Sequence, residues 1–306
     1  MLKGLLTWFP LVNAWRMRHA ATAGSDSARY CYAVWLRHLV TLDLYGFRID
    51  SARIGELGPG DSIGVGLAAL LSGASQYIGL DLVPFAAKAN LETMFDEISR
   101  MYSDREAIPS PEEFPRLRPT LHAYAFPYQL IDRTSFIERV EKIRQELRTG
   151  VNSGPSVRYC APWASTDQVA AGSLDLVFSQ AVLEHVDALE ETYQAMFAWL
   201  RPGGYASHII DFSAHHLSSF WNGHWAYSDW QWRLVRGGRE FLLNREPLGA
   251  HLSCAAKAGF EMLRLKRDYG SRGLSVEALA PRFQVLDAED LRTRGAVLIL
   301  RKPDIG

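Results

Sequence analysis

The 306-residue chain has only three cysteines, Cys31, Cys160 and Cys254. They are odd in number and far apart, which excludes a disulfide framework and the paired spacing of a zinc site. A set like this fits a reducing compartment, so a cytoplasmic protein is expected. There is no excess of either charge: Lys and Arg total 33, Asp and Glu total 34, and the formal net charge is -1. Binding a phosphate backbone needs a basic excess or stripe, so no nucleic-acid partner is expected. No run approaches the roughly 20 apolar residues that span a bilayer, so no transmembrane segment is expected. The longest candidate, Gly4 to Trp15, is followed at once by Arg16, Arg18 and His19. That is the wrong flank for a signal peptide. The run reads as a helix packed on the main domain. The other reading is a peripheral membrane contact through Trp8, Phe9 and Trp15.

With 48% hydrophobic and 22% charged residues, the chain has the makings of a globular protein with a sizeable core. Residues 1–50 carry helical apolar spacing, as at Tyr30, Ala33, Val34, Leu36, Leu39 and Val40, and form an expected N-terminal helical segment. Residues 52–57 read as a buried strand, broken by Gly58, Pro59 and Gly60. A helix is expected over 61–72, capped by Asp61 or Ser62, then a second strand over 76–80 ending at Asp81. Strand, glycine-rich turn, helix, strand and acid open a doubly wound α/β sheet. Five prolines between 109 and 127 forbid a regular helix there, and residues 97–154 read as an insert. Inserts of this length are often lids over active sites, or else surface additions. Further strands are expected at 157–159, 173–178, 205–210, 260–267 and 296–301, with a helix at 189–200 and a turn at 201–204. The domain is therefore expected over 51–303.

The turn after the first strand reads Glu56-Leu57-Gly58-Pro59-Gly60-Asp61-Ser62-Ile63-Gly64. A dinucleotide fingerprint counted from Gly58 would need Gly or Ala where Ile63 stands, and no Gly-Lys-Ser/Thr follows for a P-loop. Glycines there still let backbone approach a ligand closely. Asp81, about twenty residues on, is placed to accept both hydroxyls of a ribose, or else to cap the next helix. Two further motifs follow: Leu174-Asp175-Leu176-Val177-Phe178-Ser179-Gln180-Ala181-Val182-Leu183-Glu184-His185-Val186, and Leu200-Arg201-Pro202-Gly203-Gly204.

These four motifs, in this order, resemble the class I S-adenosylmethionine (SAM)-dependent methyltransferases over residues 52–82 and 156–211. The chain as a whole is also similar to methyltransferases of bacterial polysaccharide and surface-glycan biosynthesis. That likeness lies in the run Arg29 to His38, in Ser207 to Phe212, and in the Trp-rich stretch ending at Asn244-Arg245. The resemblance implies a Rossmann-like α/β fold: a seven-stranded, mostly parallel sheet with an antiparallel last strand, plus a helical N-terminal extension and a helical insert. It implies SAM as cofactor and S-adenosylhomocysteine as product. Gly58, Pro59 and Gly60 would pass beneath the methionine part, and Glu56 would support the loop or the amino group. Asp81 and Leu82 would hold ribose and adenine, and Ser179 and Gln180 would lie near the sulfonium. Many members carry an acid after the third strand for adenine. Here the run is Tyr159-Cys160-Ala161-Pro162-Trp163-Ala164, so backbone of Ala161 or stacking on Trp163 is expected instead.

Methyl transfer to a hydroxyl needs alignment and a base, most often histidine. Asp211 and His215 follow the fifth strand and, with His185, are the candidate catalytic residues. His185 also reads as a structural backbone partner. Asp211 with His215 or His216 could hold a divalent cation, but no third ligand is evident from spacing, so no metal is assigned. His216, Trp221, Trp225, Tyr227 and Arg245 are the candidate acceptor-binding residues, since indole faces and polar tips suit sugar rings. The same tryptophans also read as core. The leading expectation is O-methylation of a sugar or glycan intermediate. N- or O-methylation of another small molecule, or a non-catalytic scaffold subunit with the same fold, are the alternatives.

Overall fold

In the computed structural model, residues 4, 6–9, 24–131, 135–163, 166–239 and 241–304 are described. Most of the apolar run from Gly4 to Trp15 lies outside them. Within residues 6–9, Trp8 and Phe9 are exposed, while Thr7 accepts a hydrogen bond from the Gly238 N–H at 2.8 Å. Helix α1 (Ala28–Asp43) is capped by Ser27, whose hydroxyl accepts from the Tyr30 N–H at 3.3 Å. It is apolar almost all round and buried almost all round, as such helices must be. One side lies on the sheet: Trp35 meets Phe178, and its indole N–H donates to Ser72 Oγ at 2.8 Å. The N-terminal segment from Ala28 onward thus shares one core with the sheet.

The sheet is built from β1 (Arg53–Leu57), β2 (Gln76–Leu80), β3 (Val157–Cys160), β4 (Leu174–Gln180), β5 (Leu200–Asp211), β6 (Glu261–Tyr269) and β7 (Thr293–Arg301), in the order β3-β2-β1-β4-β5-β7-β6. Strands β1 to β5 pair in parallel. Strand β7 runs antiparallel between β5 and β6. This is the expected Rossmann-like class I methyltransferase fold. The strand order reverses between β1 and β4, so the carboxyl ends of these two strands open a crevice, the usual ligand site of doubly wound sheets.

One local expectation fails, and another takes an unexpected form. Helix α2 spans Gly64–Ser72 and begins three residues late. Ile63 occupies the cap position and has no side-chain acceptor, while Ser62 Oγ accepts from the Gly64 N–H and is turned inward. Residues 201–204, expected as a turn, bulge out of β5: Leu174 and Leu176 of β4 pair with Leu200 and Tyr205, and Gly203 has φ of +72°. The neighbouring β7 end holds them there: the Gly203 N–H donates to Lys302 O at 2.9 Å, and the Lys302 N–H to Gly204 O at 2.8 Å. The insert holds helices α3 (Leu91–Asp104) and α4 (Phe136–Thr149) with the proline-rich stretch between them. Its helices pack on α1 and α2. Buried Arg37 of α1 ties it down, donating to the carbonyls of Pro109, Leu117 and Pro119 at 2.7, 2.9 and 3.1 Å. Helices α5 (Leu189–Trp199), α6 (Asp229–Arg236), α7 (Leu248–Ala258) and the short α8 (Pro281–Gln284) complete the chain. Among the described residues, no helix is long and apolar enough to cross a membrane.

Burial lowers the pKa of His38 from 6.5 to about 4, and of His208 and His251 to about 3. The unfolded chain binds these protons below about 6.5 and the fold refuses them, so their contribution is complete above 6.5 and is lost as pH falls towards 4. His185 and His224 add to this side. Glu56, Glu184 and Asp81, whose pKa values burial raises, act in the opposite sense but are fewer. Chemical denaturation between pH 6.5 and 4.5 should show falling stability, about 1.4 kcal/mol per pH unit for each net proton. A flat or rising profile would contradict this account.

Candidate functional site

The chain leaves β1 through Gly58, whose N–H donates to Leu80 O at 2.8 Å. Gly58 and Gly60 have φ of +61° and +75°, a region open to glycine at little cost. A Cβ on Gly58 would lie 2.7 Å from Val182 Cγ2, so the β1 turn touches the β4 turn directly. Asp81 closes the other side. One carboxylate oxygen accepts from the Gly60 N–H at 3.3 Å, the other from the Leu82 N–H at 2.9 Å. Burial pushes its pKa up to about 6, against these backbone donors, so it is mostly ionised at neutral pH. Leu82 beside it is exposed. Glu56 lies buried beneath the loop and accepts from the Tyr77 hydroxyl at 2.6 Å. Burial raises its pKa to about 8, so it is held mainly in the protonated form. Tyr77 fits only because Gly66 of α2 has no side chain to strike its ring.

After β3 the Trp163 N–H donates to Asp81 O at 2.6 Å, and its indole packs edge-on against Trp199. No acid stands at 161–163, as the sequence already shows; Ala161 is half-buried and Ala164 lies outside the described residues. At the end of β4 the expectations for two neighbours diverge. Gln180 is half-buried at the crevice, and its Oε1 lies 3.3 Å from His38 Nε2. Ser179 is fully buried, and its hydroxyl is bonded to His208 Nδ1 at 2.8 Å. Successive side chains of a strand point to opposite faces, so Ser179 supports the site from the core and does not line it.

The three candidate catalytic residues come together. His185 ends the one-turn helix Leu183–His185, and Asp211 ends β5. His215 follows, with Nε2 3.7 Å from Asp211 Oδ2 and its ring 5.2 Å from that of His185. His215 and His216 both have positive φ, 41° and 60°, a strained arrangement of the kind that functional sites retain. Burial and the neighbouring His215 lower the His185 pKa to about 4, so its imidazole is neutral. The sequence reading missed Glu184. It is buried, it accepts from the Asp211 N–H at 3.4 Å, and its pKa stands well above the usual carboxyl range. Its position next to His185 was the available signal.

The acceptor residues separate into two groups. Trp225 is fully buried, stacked on Phe283 at 5.3 Å, with its indole N–H on Arg245 O at 3.2 Å. Arg245 is buried between the Trp232 and Phe283 rings and donates to Tyr227 O and Asp229 Oδ1 at 2.7 and 2.6 Å. Both are packing residues, and neither has a face left for an acceptor. His216 is exposed, while Trp221 and Tyr227 are half-buried and retain accessible surface.

Residues 135–207 match a family model described as "Methyltransferase domain". The match covers 73 of the 306 residues. The match takes in β3, β4, α5 and most of β5, and stops short of the β1 turn and Asp81. No curated protein matches the sequence. Among solved structures, a SAM-dependent methyltransferase from Mesorhizobium loti is 14% identical with a TM-score of 0.42, over 91% of this chain and 100% of that one. One from Methanosarcina mazei is 12% identical with a TM-score of 0.47, over 86% and 98%. Phosphoethanolamine N-methyltransferase 2 of Haemonchus contortus, in complex with SAM, is 13% identical with a TM-score of 0.43, over 91% and 58%. Likeness at this level carries no argument about substrate.

Two substitutions test the packing around the site. Gly58→Ala should lose roughly 2–4 kcal/mol in urea unfolding, from positive φ and the contact with Val182. Unchanged stability would show that the two turns do not meet. Trp225→Ala should cost about 3–5 kcal/mol as a core truncation. A variant as stable as the parent would return Trp225 to the surface.

Proposed function

We propose that this protein O-methylates a sugar or glycan intermediate with SAM as methyl donor. One observation supports it above the rest. The glycine turn after β1 abuts Val182, and the turn that Val182 begins carries Glu184 and His185 up to Asp211 and His215. A cofactor-shaped cradle and a cluster of proton-accepting groups therefore share one crevice.

The residues present fit the cofactor. The left-handed turn at Gly58 and Gly60 presents backbone without side chains to a methionine chain, the Asp81 carboxylate offers an acceptor for ribose hydroxyls, and exposed Leu82 offers an apolar face to adenine. Bound SAM supplies a methyl group already activated on a sulfonium. The protein's task is to hold the acceptor oxygen in line and remove its proton. Asp211, partly exposed at the end of β5, takes the proton, with His215 and His185 alongside. The accessible faces of Trp221 and Tyr227, with His216, favour a ring with apolar faces and hydroxyl edges, as a sugar has.

The test is S-adenosylhomocysteine formation against sugar nucleotides, glycans and small amines. Turnover with a hydroxylated sugar supports the reading, and turnover with amines alone contradicts it. Asp211→Asn should lower kcat by about 10²–10⁴-fold while cofactor affinity holds. An unchanged kcat would remove Asp211 from the mechanism. A protein that binds S-adenosylhomocysteine and turns over no acceptor at all would be a scaffold with this fold.

A further inference from the structure

Three polar atoms beside the crevice make no hydrogen bond, the approach of His215 Nε2 to Asp211 Oδ2 being 3.7 Å. They are Glu184 Oε2, His185 Nδ1 and His215 Nε2, each shielded from solvent. Glu184 is 2% exposed, so its free oxygen is deeply buried. One such unbonded atom costs about 1–3 kcal/mol, and three on neighbouring residues point to a further partner that satisfies them. The three residues do converge: one ligand atom from each lies within 4.8 Å of the others. Around a single ion with bonds of about 2.1 Å, ligand atoms stand about 3–4 Å apart, so small side-chain rotations would bring these three to one centre.

We propose that Glu184, His185 and His215 bind a first-row divalent cation that takes the acceptor's hydroxyl into its open coordination positions. Two imidazoles and one carboxylate on one face suit manganese, iron, cobalt or zinc better than calcium, which prefers oxygen alone. The surroundings are those of a ligand set. The other side of the His185 ring bonds the backbone of Phe241, which orients the ring and leaves Nδ1 bare. Burial keeps that imidazole neutral, the form that ligates. His215 and His216 are the two central, left-handed residues of a turn closed by the Leu217 N–H on Ala214 O at 2.9 Å, and that turn carries the third ligand. In the sequence the site was hidden because Glu184 and His215 are thirty-one positions apart and only the fold joins them.

The chemistry deepens the proposed methylation and rests on that reading. A three-ligand site leaves two or three open positions, which a pair of neighbouring hydroxyls fills, so the acceptor class is a vicinal diol or polyol. Coordination lowers the hydroxyl pKa. The O–H bond breaks and its proton passes to Asp211, whose Oδ2 is 3.7 Å from His215 Nε2. The oxygen forms a bond to the methyl carbon. The bond from that carbon to sulfur breaks with its electron pair on sulfur, and the sulfonium becomes a neutral thioether.

The test uses the full chain, stripped with a chelator and titrated with Mn²⁺, Zn²⁺ and Co²⁺. One ion per chain at micromolar affinity is expected, with Co²⁺ giving visible d–d bands of a low-symmetry nitrogen–oxygen site. Glu184→Gln and His215→Ala should each weaken binding at least tenfold while circular dichroism stays that of the parent. His215 lies in a partly exposed loop, which protects the second variant from folding failure. No stoichiometric binding of any of the three ions, or both variants binding like the parent, overturns the proposal. S-adenosylhomocysteine titration of the same samples separates the two readings. Cofactor binding without metal binding removes only the cation, and metal binding without cofactor binding leaves the cation site and removes the methyltransferase reading.

Discussion

Gly58 has no side chain, and the 2.7 Å between its absent Cβ and Val182 leaves room for none. That contact joins the turn after β1 to the turn after β4 where the strand order reverses. Everything proposed for the site depends on it. The β1 turn faces Asp81 across the end of β2, and the β4 turn carries Glu184 and His185 to the end of β5. If the two turns stood apart, there would be a cofactor cradle and a polar cluster, but no shared crevice.

A layer of buried polar pairs supports these turns from below. Tyr77 holds Glu56, His208 holds Ser179, and His38 links Ser207 at 2.8 Å to Gln180. Buried polar groups are costly unless paired, so each pair restricts its strand end to one arrangement. Helix α1 supplies His38 and also Arg37, which fastens the insert. One helix therefore sets both the underside of the site and the path of the proline-rich segment. The insert's position follows from where the Arg37 guanidinium finds carbonyls, and length alone gave no guide to it.

The fold was readable in the sequence because its signals are local. Glycines at 58 and 60, an acid at 81 and short apolar strands at the right spacing specify β1, α2 and β2 with little help from distant residues. The helix start at Gly64 was misplaced because the Ser62 hydroxyl donates inward to Ser25 O and Met94 Sδ and Ile63 takes the cap position. Trp225 and Arg245 show the limit on the site. An indole and a guanidinium read equally well as a sugar platform or as packing, and only the stacked Phe283 and the Asp229 pair decide between them. Ser179 likewise differs from Gln180 only by which face of the strand it occupies. Glu184 escaped notice because its partners lie far along the chain, where spacing carries no signal.

The central claim is that this crevice holds SAM, and calorimetric titration with S-adenosylhomocysteine tests it most directly. Wild-type protein should bind one equivalent at micromolar affinity, and Asp81→Ala should lose at least tenfold through the missing charge-assisted hydrogen bonds, worth about 1.5–3 kcal/mol each. Wild-type protein that shows no binding, or an Asp81→Ala variant that binds as tightly as the parent, would contradict the account.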